Sequence, residues 1–199
     1  RRSELAARDV RVLAGGKAAP FMAVAAAAAL PRPPRTGLVV GTHRPIDLPD
    51  RFTWLRGAHP VPDVASEEAA RRALELARSA RDDDILLVLV SGGASALLAL
   101  PRSGLSLPDK QAATRELLLA GADISSLNTV RKHLSAVKGG QLAAAVSGRT
   151  LALVVSDVVG DDLSVIGAGP TVGDPTTFDD AWAVLERCGG ELSLAGVED

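Results

Sequence analysis

The sequence predicts an α/β fold with a Rossmann-like, doubly wound and mostly parallel sheet. Four apolar runs are rich in Leu or β-branched residues and do not alternate with polar ones, as expected for parallel strands covered on both faces. Helical segments lie between these runs, and such alternation is typical of this class. The predicted strands are Val10–Ala14, Gly37–Val40, Ile85–Val90 and Leu151–Val155.

Helical patterns fill most of the remaining chain. The predicted helices are Ala18–Leu30, Ser66–Ala80, Pro108–Ala120, Ser125–Val137, Gly140–Val146 and Phe178–Arg187. We expect Ser66 to be the N-cap of the clearest helix, because a Ser side chain can accept a hydrogen bond from a free amide of the first turn. The segment His43–Pro62 is rich in proline, and its pattern assigns it no element.

Composition excludes several classes of protein. The chain has 199 residues, 47% of them hydrophobic, so it can bury a sizeable core. A net charge of -2 and 3% aromatic residues argue against a nucleic-acid partner. The single Cys188 excludes an internal disulfide and suits a reducing cytoplasm, and no apolar stretch is long enough to span a membrane. We therefore expect a cytoplasmic protein that acts on small molecules.

The segment Ser91–Ser95, which reads SGGAS, directly follows the strand Ile85–Val90. Gly92 and Gly93 let a ligand approach the backbone, and successive amides can form a nest for an anion. We expect Ser91, Gly92, Gly93 and Ser95 to contact phosphate. An ordinary tight turn between strand and helix is the alternative.

Three better-known motifs are excluded because residues that they require are missing. A nucleophile elbow needs a glycine where Leu97 stands, and a Walker loop needs Ser or Thr where Ala18 follows Lys17. The dinucleotide-binding fingerprint is absent as well, since Gly167–Gly169 runs directly into Pro170.

Basic residues stand at two further positions where a ligand could bind. Lys17 follows Gly15 and Gly16 at the end of the first strand and could reach a phosphate or carboxylate. Asn128, Arg131 and Lys138 lie in a cationic segment that ends in two glycines, which fits anion recognition. The alternatives are a solvated lysine beside a turn, and a basic solvent-facing helix terminated by glycine.

Carboxylates follow the last predicted strand. Asp157 is best placed and Asp161 lies one loop further on. Such groups can hold Mg²⁺ together with waters and substrate oxygens. Asx-turns and helix caps are the alternative for these residues.

The order of these motifs resembles the glycerate 2-kinase family, often called the MOFRL family, whose N-terminal domain is DUF4147. Some of its members carry the name hydroxypyruvate reductase. The resemblance rests on five segments that together cover most of Gly15–Asp174. They are GGKAA (15–19), AHPVPDVAS (58–66), SGGASALLALP (91–101), NTVRKHLSAVKGGQLA (128–143) and SDVVGDDLSVIGAGPT (156–171).

The resemblance implies Mg²⁺-dependent transfer of phosphate from ATP to D-glycerate, which gives 2-phosphoglycerate. It implies that Lys17 and Asp157 are catalytic, that Asp157 and Asp161 hold the metal, and that residues 1–199 are the N-terminal α/β domain of a two-domain kinase. The chain starts at Arg1 and its only Met is Met22, so we expect it to be a fragment. An NAD(P)H-dependent hydroxypyruvate reductase and an inactive ligand-binding fragment are the alternatives, and a homodimer is compatible with each.

Two positions depart from the usual family pattern. Ala94 stands where the family loop has a third glycine, so a methyl group lies where a ligand could need close access to the backbone. Ala168 stands where the family has a serine.

Overall fold

A parallel five-stranded sheet forms the centre of the computed structural model, which describes residues 2–156, 158 and 160–188. The strands are β1 (Val10–Gly15), β2 (Thr36–Gly41), β3 (Phe52–Arg56), β4 (Ile85–Ser91) and β5 (Arg149–Val155). They lie in the order β3-β2-β1-β4-β5, and every neighbouring pair within the described residues is parallel. The predicted doubly wound α/β class is confirmed. The strand order reverses between β1 and β4, where such sheets bind ligands.

Helices cover both faces of the sheet. They are α1 (Arg2–Ala7), α2 (Ala19–Ala29), α3 (Val64–Arg78), α4 (Ala94–Leu97), α5 (Leu107–Leu119), α6 (Ile124–His133), α7 (Gln141–Ala144) and α8 (Phe178–Arg187), with a 3₁₀ turn at Ile166–Ala168. The helices α3, α4 and α7 share one apolar core with the sheet, and α2 shares the core on the opposite face. A separate apolar cluster joins α5, α6 and α8. No helix in the described part of the chain is long and apolar enough to cross a membrane.

The edge strands differ from the sequence-based expectation. Every residue of β1 and β4 is buried, whereas β3 and β5 have many exposed positions. Leu153 of β5 is 56% exposed, so the prediction that Leu151–Val155 is covered on both faces was wrong. The strand β3 was not predicted at all. An edge strand lacks a neighbour on one side, so it needs no continuous apolar run.

Two helix boundaries also differ from the predictions. Asp63, and not Ser66, is the N-cap of α3, and Ser66 closes a capping box from the third helical position. The helix α6 ends at His133, because Ser135 forms an antiparallel bridge with Pro101 and the Ala136 amide donates to Leu100 O at 3.0 Å. Arg131 therefore lies in the last turn of α6, and Ser135 lies beyond the helix.

A buried ion pair ties the start of β1 to the start of β4. Arg11 Nε lies 2.8 Å from Asp84 Oδ2, and the two residues are 8% and 4% exposed. The Arg81 amide also donates to this carboxylate at 3.0 Å. Burial acts to raise the pKa of Asp84, but the hydrogen bonds from Arg81 and Arg11 outweigh it and hold the pKa below its ordinary value. The pair fixes the end of the sheet opposite the predicted ligand edge.

Replacing Asp84 by Ala should lower the free energy of unfolding by about 3–5 kcal/mol, because it leaves the buried Arg11 guanidinium uncompensated. Asp82→Ala, an exposed change two residues away, is the matched control and should cost far less. Urea unfolding of both variants measures the difference. Equal losses would show that the ion pair does not stabilise the sheet.

Candidate active site

The loops that follow β1 and β4 are joined at the point where the strand order reverses. The Lys17 amide donates to Gly92 O at 2.9 Å, and the Ala18 amide donates to Ser91 Oγ at 3.0 Å. Gly16 has a φ of +133°, and a Cβ placed on it would lie 2.6 Å from Ser91 O. Only glycine permits this approach. The structure therefore brings together the GGKAA and SGGAS segments, which the sequence suggested separately.

The Ser91 hydroxyl faces into the protein. Ser91 is 2% exposed, and its Oγ accepts the hydrogen bond from Ala18. This hydrogen bond links the two loops on their buried side. Gly92 and Gly93 are partly exposed on the outer side, and Gly93 is the N-cap of α4 with a left-handed φ of +86°. The accessible part of the loop is thus its glycine backbone.

Ser95 and Ala94 differ in what their side chains contact. Ser95 Oγ is buried, and no hydrogen-bond partner for it exists among the described residues. Ala94 is 2% exposed, and its methyl lies 3.2 Å from the position a Cβ on Gly167 would take. The extra methyl at position 94 therefore points into the core, away from the accessible backbone.

Lys17 and His59 pack against the same side of Gly93. A Cβ placed on Gly93 would lie 3.0 Å from His59 Cδ2 and 3.3 Å from Lys17 Cγ. Both residues are exposed. His59 follows β3 and lies in the proline-rich segment His43–Pro62, to which the sequence pattern assigned no element. Its position after a strand could have marked it as a candidate site residue, but β3 was not predicted.

The buried Lys138 side chain binds backbone carbonyls of the SGGAS segment and of the end of α4. It is 1% exposed, and its ammonium donates to Ser95 O at 2.9 Å and to Leu98 O at 2.7 Å. Burial lowers the pKa of Lys138 well below its ordinary value, and the charges of Lys110 and Arg131 act in the same direction. Its ammonium binds the last carbonyls of α4, which lack partners within the helix.

Lys110 makes the equivalent contact with α6. Its ammonium donates to Arg131 O at 3.1 Å and to Leu134 O at 3.2 Å. Burial, with a smaller contribution from the charge of Arg131, lowers the pKa of Lys110 to about 7. No sequence pattern singles out this lysine, because its partners are backbone carbonyls more than 20 residues away.

Arg131 and Asn128 both lie on α6. Arg131 is half-buried, and burial lowers the pKa of its guanidinium. Within the described residues, no carboxylate forms an ion pair with Arg131. Asn128 is 4% exposed. Arg131 therefore remains available to an anion, whereas Asn128 lies inside the helical layer.

The predicted metal ligands are only partly described. Asp157 lies outside the described residues. Asp161 is exposed, has a φ of +52°, and its amide donates to Val158 O at 3.1 Å. The neighbouring Asp162 accepts a hydrogen bond from the Ser164 amide at 2.8 Å. Across residues 2–156, 158 and 160–188, no group of three or more His, Cys, Asp or Glu could hold a metal ion.

The GAGPT segment (167–171) is hydrogen-bonded to the two glycines that follow Lys138. The Gly139 amide donates to Ala168 O at 3.1 Å, and the Gly140 amide donates to Gly169 O at 2.8 Å. Ala168 is fully buried with a φ of +60°. This segment is therefore anchored to the turn that carries Lys138, through backbone atoms that a serine at 168 would leave in place.

Replacing Gly93 by Ala should displace Lys17 and His59, because the new methyl would lie within 3.0–3.4 Å of both. Gly121→Ala is the matched control: its φ is +75°, and a Cβ there meets nothing within 4 Å. Both variants pay about 1–2 kcal/mol for a left-handed alanine. Only Gly93→Ala should shift the His59 signal in histidine side-chain NMR spectra. An unshifted signal would contradict the contact.

Replacing Lys110 by Met should make stability less dependent on pH. The folded-state pKa of Lys110 is about 7 and the unfolded value is about 10.4, so between these values the unfolded chain holds a proton that the folded chain lacks. Stability should therefore rise with pH over this range, with the cost of burying the lysine complete below pH 7. The variant should reduce the slope by about 1.4 kcal/mol per pH unit.

Urea unfolding between pH 7 and 10 measures this slope. Arg115→Met is the control, because Arg115 is exposed on the same helix and a guanidinium stays protonated throughout. Equal slopes in wild type and Lys110→Met would show that the lysine is not deprotonated by folding.

Comparisons with known proteins agree with this architecture. The family model described as "Domain of unknown function (DUF4147)" matches residues 2–196. A D-glycerate 2-kinase from Thermotoga maritima is 46% identical over 186 residues, which is 92% of this chain and 45% of that protein. A protein from Agrobacterium vitis named as a hydroxypyruvate reductase is 45% identical over 182 residues, 91% of this chain and 42% of that protein.

A solved structure gives the same result. The crystal structure of glycerate kinase from Thermotoga maritima superposes with a TM-score of 0.88 at 44% identity, over 93% of this chain and 46% of that chain. The chain thus spans less than half the length of these relatives. The resemblance to glycerate 2-kinases that the five motifs suggested is confirmed. Since the family model matches nearly all of its length, the chain belongs to the DUF4147 family.

Proposed function

We propose that this protein transfers phosphate from ATP to D-glycerate to give 2-phosphoglycerate, in a Mg²⁺-dependent reaction. The observation that carries the proposal is the junction of two glycine-containing loops at the point where the strand order reverses, with Lys17 on the accessible side. Relatives that are named glycerate 2-kinase or glycerate kinase support the reaction class.

We assign the residues of the candidate site roles suited to their positions. The backbone of Gly92–Ser95 binds phosphate oxygens, and Ser95 Oγ, which is buried without a partner among the described residues, is a donor suited to an oxygen anion. Lys17 neutralises the charge that develops on the transferred group. Arg131 binds the glycerate carboxylate, since it has no carboxylate partner of its own in the described chain.

Three other residues that the sequence singled out support the site. Ser91 and Lys138 hold the loop through the Ala18 amide and the α4 carbonyls, in place of the phosphate contact predicted for them. Asn128 lies on α6, and its buried position lets it pack the helix that carries Arg131 against the rest of the protein. These residues place the binding groups, which is the main requirement of phosphoryl transfer.

Asp157 and Asp161 are the residues that would hold Mg²⁺. The exposed Asp161 carboxylate, in the loop after β5, is the hard oxygen donor that this ion takes. When bound, the ion supplies positive charge to the phosphate oxygens of ATP.

The cellular setting and assembly remain predictions. We propose a cytoplasmic enzyme, compatible with a homodimer, in which residues 1–199 are the N-terminal α/β domain of a two-domain kinase. The relatives' greater length supports the domain assignment.

Replacing Lys17 by Met in the natural full-length protein should lower kcat with ATP and D-glycerate about 10²–10³-fold, because one preorganised charge-stabilising donor contributes that much. Arg115→Met, an exposed change on α5, should leave kcat unchanged. Release of ADP that depends on glycerate is the measurement.

The same preparation distinguishes the alternatives. Oxidation of NAD(P)H with hydroxypyruvate, without release of ADP, would replace the kinase with a reductase. Binding of ATP or glycerate with neither turnover would indicate a ligand-binding protein. Full activity of Lys17→Met would refute the role of Lys17.

A further inference from the structure

His59 stands on the solvent side of the joined loops. The position of a Cβ on Gly93 is 3.0 Å from His59 Cδ2 and 3.4 Å from Lys17 Cε, so the imidazole and the end of the lysine side chain flank the same glycine. Both side chains are exposed, whereas Ser91 and Ala94 behind them are buried. A ligand that approaches the glycine backbone from solvent therefore meets Lys17 and His59 first.

The segment that carries His59 is anchored on both sides. The Gly57 amide donates to Gly41 O at 3.0 Å, and the Ala58 amide donates to Ser66 Oγ at 2.9 Å. On the other side, Gln111 Nε2 donates to Pro62 O at 2.7 Å. These contacts hold the segment in a fixed position, which suits a reacting group because such a group must be held close to its productive geometry.

Gly57 also places the segment directly against α4. A Cβ on Gly57 would lie 2.8 Å from Leu97 Cδ2 and 3.1 Å from Leu97 O. The loop after β3 thus crosses the edge of the sheet and contacts the helix that begins at Gly93. This contact explains how a residue that follows an edge strand reaches the point where β1 and β4 end.

An imidazole is the side chain best suited to take up a proton near neutral pH. The ordinary pKa of an imidazole, about 6.5, lies close to neutral pH, so both the proton-accepting and the proton-carrying form are accessible there. A neutral imidazole nitrogen can accept a proton from a hydroxyl group.

We infer that His59 is the group that accepts the proton of the substrate hydroxyl, an inference that rests on the proposed kinase reaction. As the substrate oxygen forms its bond to the γ-phosphorus of ATP, its O–H bond breaks and the proton passes to the imidazole. The bond between the γ-phosphorus and the bridging oxygen of ADP breaks, and ADP leaves with that electron pair. The imidazolium then returns its proton to water.

His59→Gln in the natural full-length protein tests this role, because glutamine retains a polar side chain but cannot take up the proton. We expect kcat to fall about 10²–10⁴-fold with KM for ATP and glycerate nearly unchanged, the range typical of general base catalysis. In His59→Ala, added imidazole should restore part of kcat. His43→Gln is the matched control: His43 is an exposed histidine after β2, and it should keep wild-type kcat.

The outcomes distinguish a failure of the proposed kinase reaction from a failure of the role of His59. A wild-type protein that releases no ADP with glycerate overturns the proposed function, and the role of His59 with it. An active wild type with a His59→Gln variant that keeps its kcat overturns the role of His59 alone. A loss of kcat accompanied by a lowered unfolding temperature, without rescue by imidazole, would assign His59 to structure and also overturn the inference.

Discussion

The hydrogen bonds between the β1 loop and the β4 loop are the interaction on which the candidate site depends. Adjacent parallel strands end at the same edge, but their loops need not touch. Here they do, because Gly16 has no side chain and the Ser91 hydroxyl accepts a hydrogen bond from the Ala18 amide. The junction turns Lys17 outward and exposes the backbone of Gly92 and Gly93. Both features that could bind an anion therefore follow from one contact.

Buried lysines support this arrangement at an electrostatic cost. Lys138 binds the end of α4 and Lys110 binds the end of α6, and burial lowers the pKa of both. The charge of Arg131 acts in the same direction on both lysines, and the charge of Lys110 does so on Lys138. An anion bound at the neighbouring loop would act in the opposite direction and favour the charged forms of these lysines.

The inner strands and the principal loops were predictable from the sequence, and the edges were not. The strands β1, β2 and β4 are continuous apolar runs because they lie inside the sheet, whereas β3 is half-exposed and its pattern carries no such signal. Lys17 and the SGGAS segment could be predicted because each follows an inner strand. The position of His59 could not, since it depends on a loop that crosses from β3 to α4. The inward direction of Ser91 likewise depends on a partner 73 residues away.

A crystal structure of the natural full-length protein with a non-hydrolysable ATP analogue and D-glycerate would test the proposed site most directly. We expect the terminal phosphate to lie against the Gly92–Gly93 backbone, within hydrogen-bond distance of Lys17 Nζ, and the glycerate hydroxyl to face the His59 imidazole. Nucleotide and glycerate bound away from the carboxyl ends of β1 and β4, with Lys17 and His59 contacting neither, would contradict it.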